Sequence, residues 1–316
     1  MFQEYLAGSA DIFSGIGALT TGVIAFKIAL GLFRFISAHF LSRALGLTAN
    51  LQKAGSWAVV TGGTDGIGKA YAEQLAAKGI NMVLISRSLS KLTDMARDVE
   101  EKYKVKTLVI EADFSQPDIY DNIRANIEKL DIGVLVNNVG MSYDFPEYFA
   151  EVEDPNFVSR LLHLNCTSVA KMTQIVLPIM LKKRQGYIIN IGSSAGSSPT
   201  PFLTLYSACK AFVDTFTRAL SIEYSGSGVN FQLVSPYFVV SKLSKMWKPS
   251  IFVPTPTTFV KGALATVGVQ TTTNGFWSHS VQDWIMAVIP MSVITNGLLD
   301  NRRRALKKRA NAKQNQ

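Results

Sequence analysis

The sequence has few of the residues that build disulfide or metal frameworks. Its 316 residues include two cysteines and three histidines. Cys166 and Cys209 cannot form the disulfide framework of a small secreted domain. His39, His163 and His279 lie too far apart along the chain to suggest a metal cluster. We therefore expect no metal site, and a reducing compartment.

Charged residues are also scarce, at 17%, against 47% hydrophobic residues. This composition excludes a disordered chain, because it provides enough apolar surface for a large buried core. The length suits one large α/β unit with added segments better than it suits two full domains.

The positive charge is distributed unevenly. The net charge is +9, but residues 302–316 hold seven basic side chains and no acidic ones. Removing those seven charges leaves +2 for the rest of the chain, so we expect no basic face for nucleic acid. A basic segment of this kind is typical of a solvated chain end or of contact with an anionic membrane surface.

A long hydrophobic run lies near the start of the sequence. From Ile12 to Phe33 the residues are apolar or small, apart from Lys27. The length fits one crossing of a bilayer and predicts an N-terminal membrane anchor, with a buried or interfacial helix as the alternative. Because Arg34, Arg43 and Lys53 follow the run and no basic residue precedes it, the main domain is expected in the cytosol.

A second apolar run, Trp284 to Ile294, contains Pro290 and is too short to cross a membrane as one straight helix. It suits a core position or an interfacial one. We divide the chain into an anchor and linker at residues 1–54, a central domain at 55–280, and an apolar segment with a basic tail at 281–316.

Between these runs, short apolar stretches alternate with longer segments of helical spacing. Strands are predicted at Trp57–Thr61, Met82–Ser86, Thr107–Glu111, Val134–Asn137, Tyr187–Ile191 and Asn230–Val234. Strands that are apolar almost throughout and separated by helices indicate a parallel sheet covered on both faces. The expected fold class is α/β, a doubly wound parallel sheet of Rossmann type in a single domain, with an N-terminal membrane-anchor helix.

A glycine-rich turn, Thr61 to Gly68, follows the first predicted strand and leads into a helical run from Lys69 to Lys78. Glycines there bring backbone N–H groups against a pyrophosphate at a helix N-terminus, which predicts a dinucleotide site. An ordinary glycine-rich turn is the alternative. After the second strand, Ser86 and Arg87 stand where an acid would hold the ribose of NAD, so Arg87 favours NADP(H).

Tyr206 and Lys210 are four residues apart and share one face of a predicted helix. A neighbouring cation would lower the pKa of the tyrosine from about 10. Tyr206 is then suited to be the general acid in ketone reduction and the base in the reverse reaction. Ser193, at the end of the fifth predicted strand, would donate a hydrogen bond to the substrate carbonyl. Taken alone, the Tyr-x-x-x-Lys pattern is more often an ordinary amphipathic helix.

In this order, the motifs resemble those of the short-chain dehydrogenase/reductase family. The resemblance also rests on Asp113, on Asn137-Asn138-Val139-Gly140, in which Val139 replaces the usual alanine, and on Asn165. It implies Ser193, Tyr206, Lys210 and Asn165 as catalytic residues, with Asn165 helping to hold a water that relays protons to Lys210. It implies cofactor contacts from Gly62, Thr64, Asp65, Gly66, Ile67, Gly68, Arg87, Asp113, Asn138, Tyr206, Lys210, Val239 and Ser241.

The segment Pro236–Val239, the anchor and residues 258–275 resemble one branch of that family. The branch contains very-long-chain 3-oxoacyl-CoA reductases and 17β-hydroxysteroid dehydrogenases of types 12 and 3. The resemblance implies a lipid substrate: a 3-oxoacyl-CoA reduced with NADPH in fatty-acid elongation, or a steroid ketone. It further implies the endoplasmic reticulum membrane, with the catalytic domain facing the cytosol, and a homodimer.

Two features of the sequence allow alternative interpretations. Lys242, Lys245 and Lys248 follow the sixth strand and would meet either the phosphates of CoA or solvent. A function of another class, a membrane-bound pseudo-enzyme that binds nucleotide without turnover, is disfavoured by the intact catalytic motif.

Overall fold

The computed structural model describes residues 2–42, 45–46 and 48–314; Arg43, expected to flank the anchor, lies outside them. The described residues form a seven-stranded sheet in the order β3-β2-β1-β4-β5-β6-β7, with every neighbouring pair parallel. The strands are β1 Trp57–Thr61, β2 Asn81–Ser86, β3 Thr107–Glu111, β4 Ile132–Asn137, β5 Gly186–Ile191, β6 Val229–Val234 and β7 Thr272–Thr273. All six predicted strands are confirmed, and the edge strand β7 was not predicted.

Helices cover both faces of the sheet, as expected for a doubly wound fold. They are α1 Phe2–Ile36, α2 Gly66–Ala76, α3 Leu89–Tyr103, α4 Tyr120–Ile127, α5 Phe157–Leu162, α6 Ser168–Lys182, α7 Thr204–Glu223, α8 Pro256–Leu264, α9 Trp277–Val288 and α10 Met291–Gln314. One layer packs α2, α3 and α8 against side chains such as Val60 and Val136. The other layer packs α4 and α6 against Val59 and Leu135. Adjacent strand residues thus enter opposite cores, because side chains alternate along a strand.

Helix α1 contains the whole of the predicted anchor segment. The stretch Phe13–Leu41 has a mean hydropathy of 1.9, and none of its apolar window is buried in the protein. A second apolar stretch, Phe157–Lys182, is half buried and belongs to the core. The predicted span of residues 12–33 corresponds to about 33 Å of helix, close to the thickness of a bilayer's hydrocarbon core. Helix α1 is therefore a candidate membrane anchor.

The C-terminal segment is helical and partly packed. Pro290 separates α9, which ends at Val288, from α10, which begins at Met291. In α10 the guanidinium of Arg302 lies 5.0 Å from the ring centroid of Tyr148, and that of Arg309 lies 4.3 Å from the ring of Phe145. Of the two alternatives for the basic segment, a solvated chain end does not describe Arg302, whose side chain is only 18% exposed.

Candidate active site

The predicted site residues that follow strands gather at the carboxyl edge of the sheet. They are Gly62 after β1, Arg87 after β2, Asp113 after β3, Asn138 after β4, Ser193 after β5 and Val239 after β6. Because the strands are parallel, all six strand ends meet at one edge. The strand order reverses between β1 and β4, and ligands of open α/β sheets bind at such a switch point.

The glycine turn after β1 has the geometry of a phosphate cradle. Gly62 has φ 67° and Gly66 has φ 54°, in the left-handed region that favours glycine. At Gly68 an added Cβ would collide with the carbonyl oxygen of Gly62 and with Asn138 Nδ2. Helix α2 begins at Gly66, so its N-terminal N–H groups face the turn. These features fit the pyrophosphate of a dinucleotide.

Hydrogen bonds tie this turn to the loop after β4. Asn138 Nδ2 donates to the carbonyl oxygens of Thr61 at 3.0 Å and of Gly62 at 3.2 Å. The hydroxyl of Thr61 accepts from the backbone N–H groups of Asn138 at 3.0 Å and of Val139 at 3.1 Å. Sequence reasoning gave Thr61 no role, although a hydroxyl at the strand end directly before the glycines was a usable signal.

Asp65 joins the turn to the loop after β6. Its carboxylate accepts from Gly66 N at 2.8 Å, which caps α2, and forms an ion pair with Lys242 Nζ at 2.7 Å. The hydrogen-bonded Lys242 ammonium lowers the pKa of Asp65. Lys242 is thus paired with the cofactor turn. Lys245 is paired elsewhere, with its Nζ 3.5 Å from Asp144 Oδ1.

The remaining predicted cofactor residues lie at the same edge of the sheet. Thr64 Oγ1 lies 3.3 Å from Ser86 Oγ, next to the exposed Arg87. Asp113 accepts from Ser115 N at 2.9 Å in the loop after β3. Ile67 packs against the core from the first turn of α2. In the loop after β6, Ser241 Oγ donates to the carbonyl oxygen of the buried Val239 at 3.3 Å.

Tyr206 and Lys210 lie one turn apart in α7, as predicted. Lys210 is buried; its Nζ donates to the Ile191 carbonyl oxygen at 2.9 Å and lies 5.8 Å from the ring centroid of Tyr206. Burial lowers the pKa of Lys210 to about 8. Burial also raises the pKa of Tyr206, while its hydrogen bond with the Ser193 hydroxyl acts in the opposite direction. The raised pKa leaves the phenol protonated at neutral pH, and the lowering expected from Lys210 beside an oxidised nicotinamide stays a prediction.

Asn165 lies in a π-helical turn, His163–Thr167, and is fully buried. Its Nδ2 donates to the carbonyl oxygens of Met141 at 2.9 Å and of Leu161 at 3.0 Å. Among the described residues, its Oδ1 has no hydrogen-bond partner. A Cβ at Gly140 would lie 2.8 Å from this oxygen and 3.6 Å from Lys210 Nζ. An acceptor and an ammonium thus converge beside a residue without a side chain.

An apolar cluster packs beside Tyr206. Tyr143, Phe157, Leu161 and Cys209 are its buried members, and the Tyr206 side chain packs against them. The rings of Tyr143 and Phe157 are 4.7 Å apart in an edge-to-face arrangement. Sequence reasoning missed this cluster, because its members come from three separate segments. The cluster therefore surrounds one side of the candidate acid with apolar side chains.

Comparison with known proteins agrees with this geometry. The family profile described as short chain dehydrogenase matches residues 56–250. The very-long-chain 3-oxoacyl-CoA reductase of Anas platyrhynchos is 47% identical over 96% of this chain and 99% of its own length. The reductase of the same name from Homo sapiens is 45% identical over 97% of this chain and 99% of its own.

Among solved structures, a short-chain dehydrogenase from Sphingobium yanoikuyae in complex with NADPH superimposes with a TM-score of 0.63 at 25% identity. The match covers 74% of this chain and 96% of that one. The glycine cradle and the converging strand ends fit the nicotinamide dinucleotide that this family uses, and the chain is an oxidoreductase. A family profile spanning more than half of its length, together with relatives of this identity, shows that the chain belongs to the short-chain dehydrogenase family.

Proposed function

We propose that this protein reduces the 3-keto group of long- or very-long-chain 3-oxoacyl-CoA to a hydroxyl, as a step of fatty-acid elongation. The observation that carries the proposal is the similarity, over nearly the full length of both chains, to reductases named for that substrate. Three partly exposed apolar residues packed against the apolar cluster beside Tyr206, namely Met141, Leu203 and Leu205, suit contact with an acyl chain.

Each candidate catalytic residue has a role that its surroundings support. Tyr206 gives its phenolic proton to the oxygen of the ketone, and the raised pKa keeps that proton available at neutral pH. Ser193, the hydrogen-bond partner of Tyr206, donates to the same oxygen and polarises the carbonyl. When bound, the nicotinamide supplies the hydride that reduces the carbonyl carbon.

Lys210 and Asn165 resupply the proton. The buried acceptor Asn165 Oδ1 is positioned to hold a water molecule beside Gly140, within reach of the Lys210 ammonium. With its pKa lowered to about 8, Lys210 releases a proton more readily than an exposed lysine does. The path for the proton therefore runs from water through Lys210 to Tyr206.

We propose NADPH as the cofactor, because Arg87 stands exposed at the end of β2 beside the glycine turn and β2 ends without an acid there. A guanidinium binds the 2′-phosphate that distinguishes NADP from NAD. An Arg87→Asp variant should lose its preference for NADPH over NADH in kcat/KM. Arg124→Asp, an exposed arginine of α4, is the matched control and should keep it. An unchanged ratio in the Arg87 variant would refute this assignment.

We also propose that α1 anchors the protein in the endoplasmic reticulum membrane, with the catalytic domain in the cytosol. Arg34 in the last turn of α1 and the basic residues of α10 favour that orientation. The chain is further proposed to dimerise through α6 and α7, where an apolar groove exposes Phe212, stacked on Phe216 at 5.5 Å.

The activity is tested with the purified full chain in detergent. NADPH oxidation is followed with a long-chain 3-oxoacyl-CoA, with estrone, and with neither ketone. We expect consumption of NADPH with the acyl-CoA and a much lower rate with estrone. A preference for estrone would instead indicate a steroid dehydrogenase. Turnover of neither ketone, together with NADPH binding, would indicate a nucleotide-binding pseudo-enzyme.

A further inference from the structure

Large apolar side chains are exposed on two segments that lie next to each other. In the loop after β6, Trp247 is 68% exposed and Ile251 is 60% exposed, and Phe252 is also exposed. On α9, Val288 is 80% exposed, and Trp284 and Ile285 are exposed beside it. Single exposed apolar residues are ordinary, whereas a group of this size marks an interaction surface.

Direct contacts join these segments to the end of α1. The rings of Phe35 and Trp284 have centroids 5.2 Å apart, and His39 Nε2 lies 3.0 Å from Ser280 Oγ. Gln282 Nε2 of α9 donates to the carbonyl oxygen of Phe252 at 3.2 Å. We name the residues 237–254 the lid loop, and the exposed side chains of Trp247, Ile251, Phe252, Trp284, Ile285 and Val288 the lid–anchor face.

The lid loop also borders the candidate active site. It carries the predicted cofactor residues Val239 and Ser241, and Lys242 pairs across the cofactor turn with Asp65 at 2.7 Å. Lys245 Nζ lies 3.5 Å from Asp144 Oδ1, next in sequence to Tyr143, which packs in the apolar cluster beside Tyr206. The lid–anchor face is therefore continuous with a loop that contacts both the cofactor turn and the segment next to Tyr143.

We propose that the lid–anchor face is immersed in the interfacial region of the bilayer that α1 spans, so that the acyl chain of the substrate enters the active site directly from the lipid. This inference rests on the proposed function. The bilayer is the occupant that the surroundings favour, because the face is continuous with a candidate anchor helix whose apolar window contains no buried residue.

Charges around the face agree with a membrane. Asp283 lies on α9 with the apolar residues. Its carboxylate accepts a hydrogen bond from Tyr237 Oη at 3.0 Å, so it is paired within the protein. Helix α10 follows directly and exposes Arg303, Lys307 and Lys308, which suit anionic lipid headgroups. Two tryptophans on the face match the preference of that side chain for membrane interfaces.

Lipid quenching tests the proposal on the full chain. Ile251→Cys and Val288→Cys variants are labelled with bimane and reconstituted in phosphatidylcholine and phosphatidylserine vesicles that contain a nitroxide lipid. The control is Ile222→Cys on α7, in the opposite helical layer, where the native side chain is 76% exposed. The chain without an added cysteine, treated with bimane in the same way, corrects for labelling of Cys166 and Cys209.

We expect nitroxide lipids to remove about half of the emission at positions 251 and 288 and little at 222, as for side chains buried at the headgroup boundary. Equal quenching at all three positions would overturn the proposal. The measurement does not depend on turnover, so it can succeed even if the proposed reaction is wrong.

A kinetic test addresses the route of entry. In vesicles, an Ile251→Asp/Val288→Asp double variant should have a KM for long-chain 3-oxoacyl-CoA raised about tenfold, corresponding to about 1.4 kcal/mol. Its KM for a short, water-soluble 3-oxoacyl-CoA should stay unchanged, because that substrate does not need the bilayer. An equal rise in both KM values would contradict entry from the lipid.

Discussion

Gly140 lies where the buried Asn165 Oδ1 and the Lys210 ammonium approach the same backbone segment. A methyl group there would be 2.8 Å from the Asn165 oxygen and would occupy the space assigned to the relay water. We predict that Gly140→Ala lowers kcat by about 100-fold while NADPH binding survives, since misplacement of a catalytic group by about 1 Å has an effect of this size.

Gly297→Ala is the matched control for that measurement. No atom lies within 4 Å of the Cβ that it would add. Steady-state kinetics with the acyl-CoA substrate and a fluorescence titration with NADPH separate the two effects. A Gly140→Ala enzyme as active as the Gly297→Ala enzyme would remove Gly140 and its neighbours from the proton path.

The lowered pKa of Lys210 predicts a pH dependence. As the pH rises through about 8, Lys210 loses the proton that it passes toward Tyr206. The value of kcat/KM for NADPH, which reports on the free enzyme, should therefore fall above that pH. Tyr206 has its pKa raised by burial and keeps its own proton through this range. A profile that stays flat from about pH 6 to pH 10 would contradict the role of Lys210.

Residues whose role depends on spacing could be predicted from the sequence, and residues whose role depends on long-range contact could not. The interval between Tyr206 and Lys210 is one helical turn, so their shared helix face followed directly. Two kinds of hydrogen bond join separate parts of the chain: Lys210 Nζ donates to the Ile191 carbonyl oxygen, and backbone N–H groups of the loop after β4 donate to the Thr61 hydroxyl. Neither contact has a local signature.

At the scale of elements, the five interior strands were predictable because they are buried on both faces and read as apolar runs. The edge strand β3 was predictable because Leu108, Val109 and Ile110 form such a run as well. Strand β7 has only two residues, Thr272 and Thr273, and carries no such pattern. The basic tail was expected to be a solvated end or to contact a membrane. The charge of the tail could be counted from the sequence. The contacts of Arg302 with Tyr148 and Glu151 could not be predicted, because they depend on how α10 packs against a distant segment of the fold.

That contact makes α10 a structural element of the domain. The side chain of Arg302 is only 18% exposed; it pairs with Glu151 and stacks on the ring of Tyr148. We predict that Arg302→Ala lowers the free energy of unfolding by about 1–2 kcal/mol, through lost cation–π contact and lost packing of the aliphatic stem. Thermal unfolding in detergent measures the change.

Arg303→Ala provides the control in the same helix. Arg303 is well exposed and pairs with Asp300, three residues away in α10. Exposed pairs of this kind contribute little, so the unfolding temperature should hardly change. If the two variants unfold at the same temperature, α10 does not stabilise the segment around Tyr148.

At the scale of the whole molecule, the proposed path for a lipid substrate connects several parts. Helix α1 is the candidate anchor, the lid–anchor face continues from its end, and the lid loop borders the sheet edge that carries the catalytic residues. The net charge of +9 belongs mostly to α10, so the reductase domain itself is nearly neutral. The excess of basic residues therefore bears on the proposed membrane contact and on the packing of α10, and not on substrate binding.

The most direct test of the proposed reaction follows the hydride. NADPH carrying deuterium at the transferable position of its nicotinamide is incubated with the full chain and a long-chain 3-oxoacyl-CoA, and the product is examined by mass spectrometry. We predict a 3-hydroxyacyl-CoA with one deuterium at C3, and no labelled product from Tyr206→Phe, although that variant still binds NADPH. Absence of the label with the unaltered chain, or undiminished labelling with Tyr206→Phe, would contradict the account.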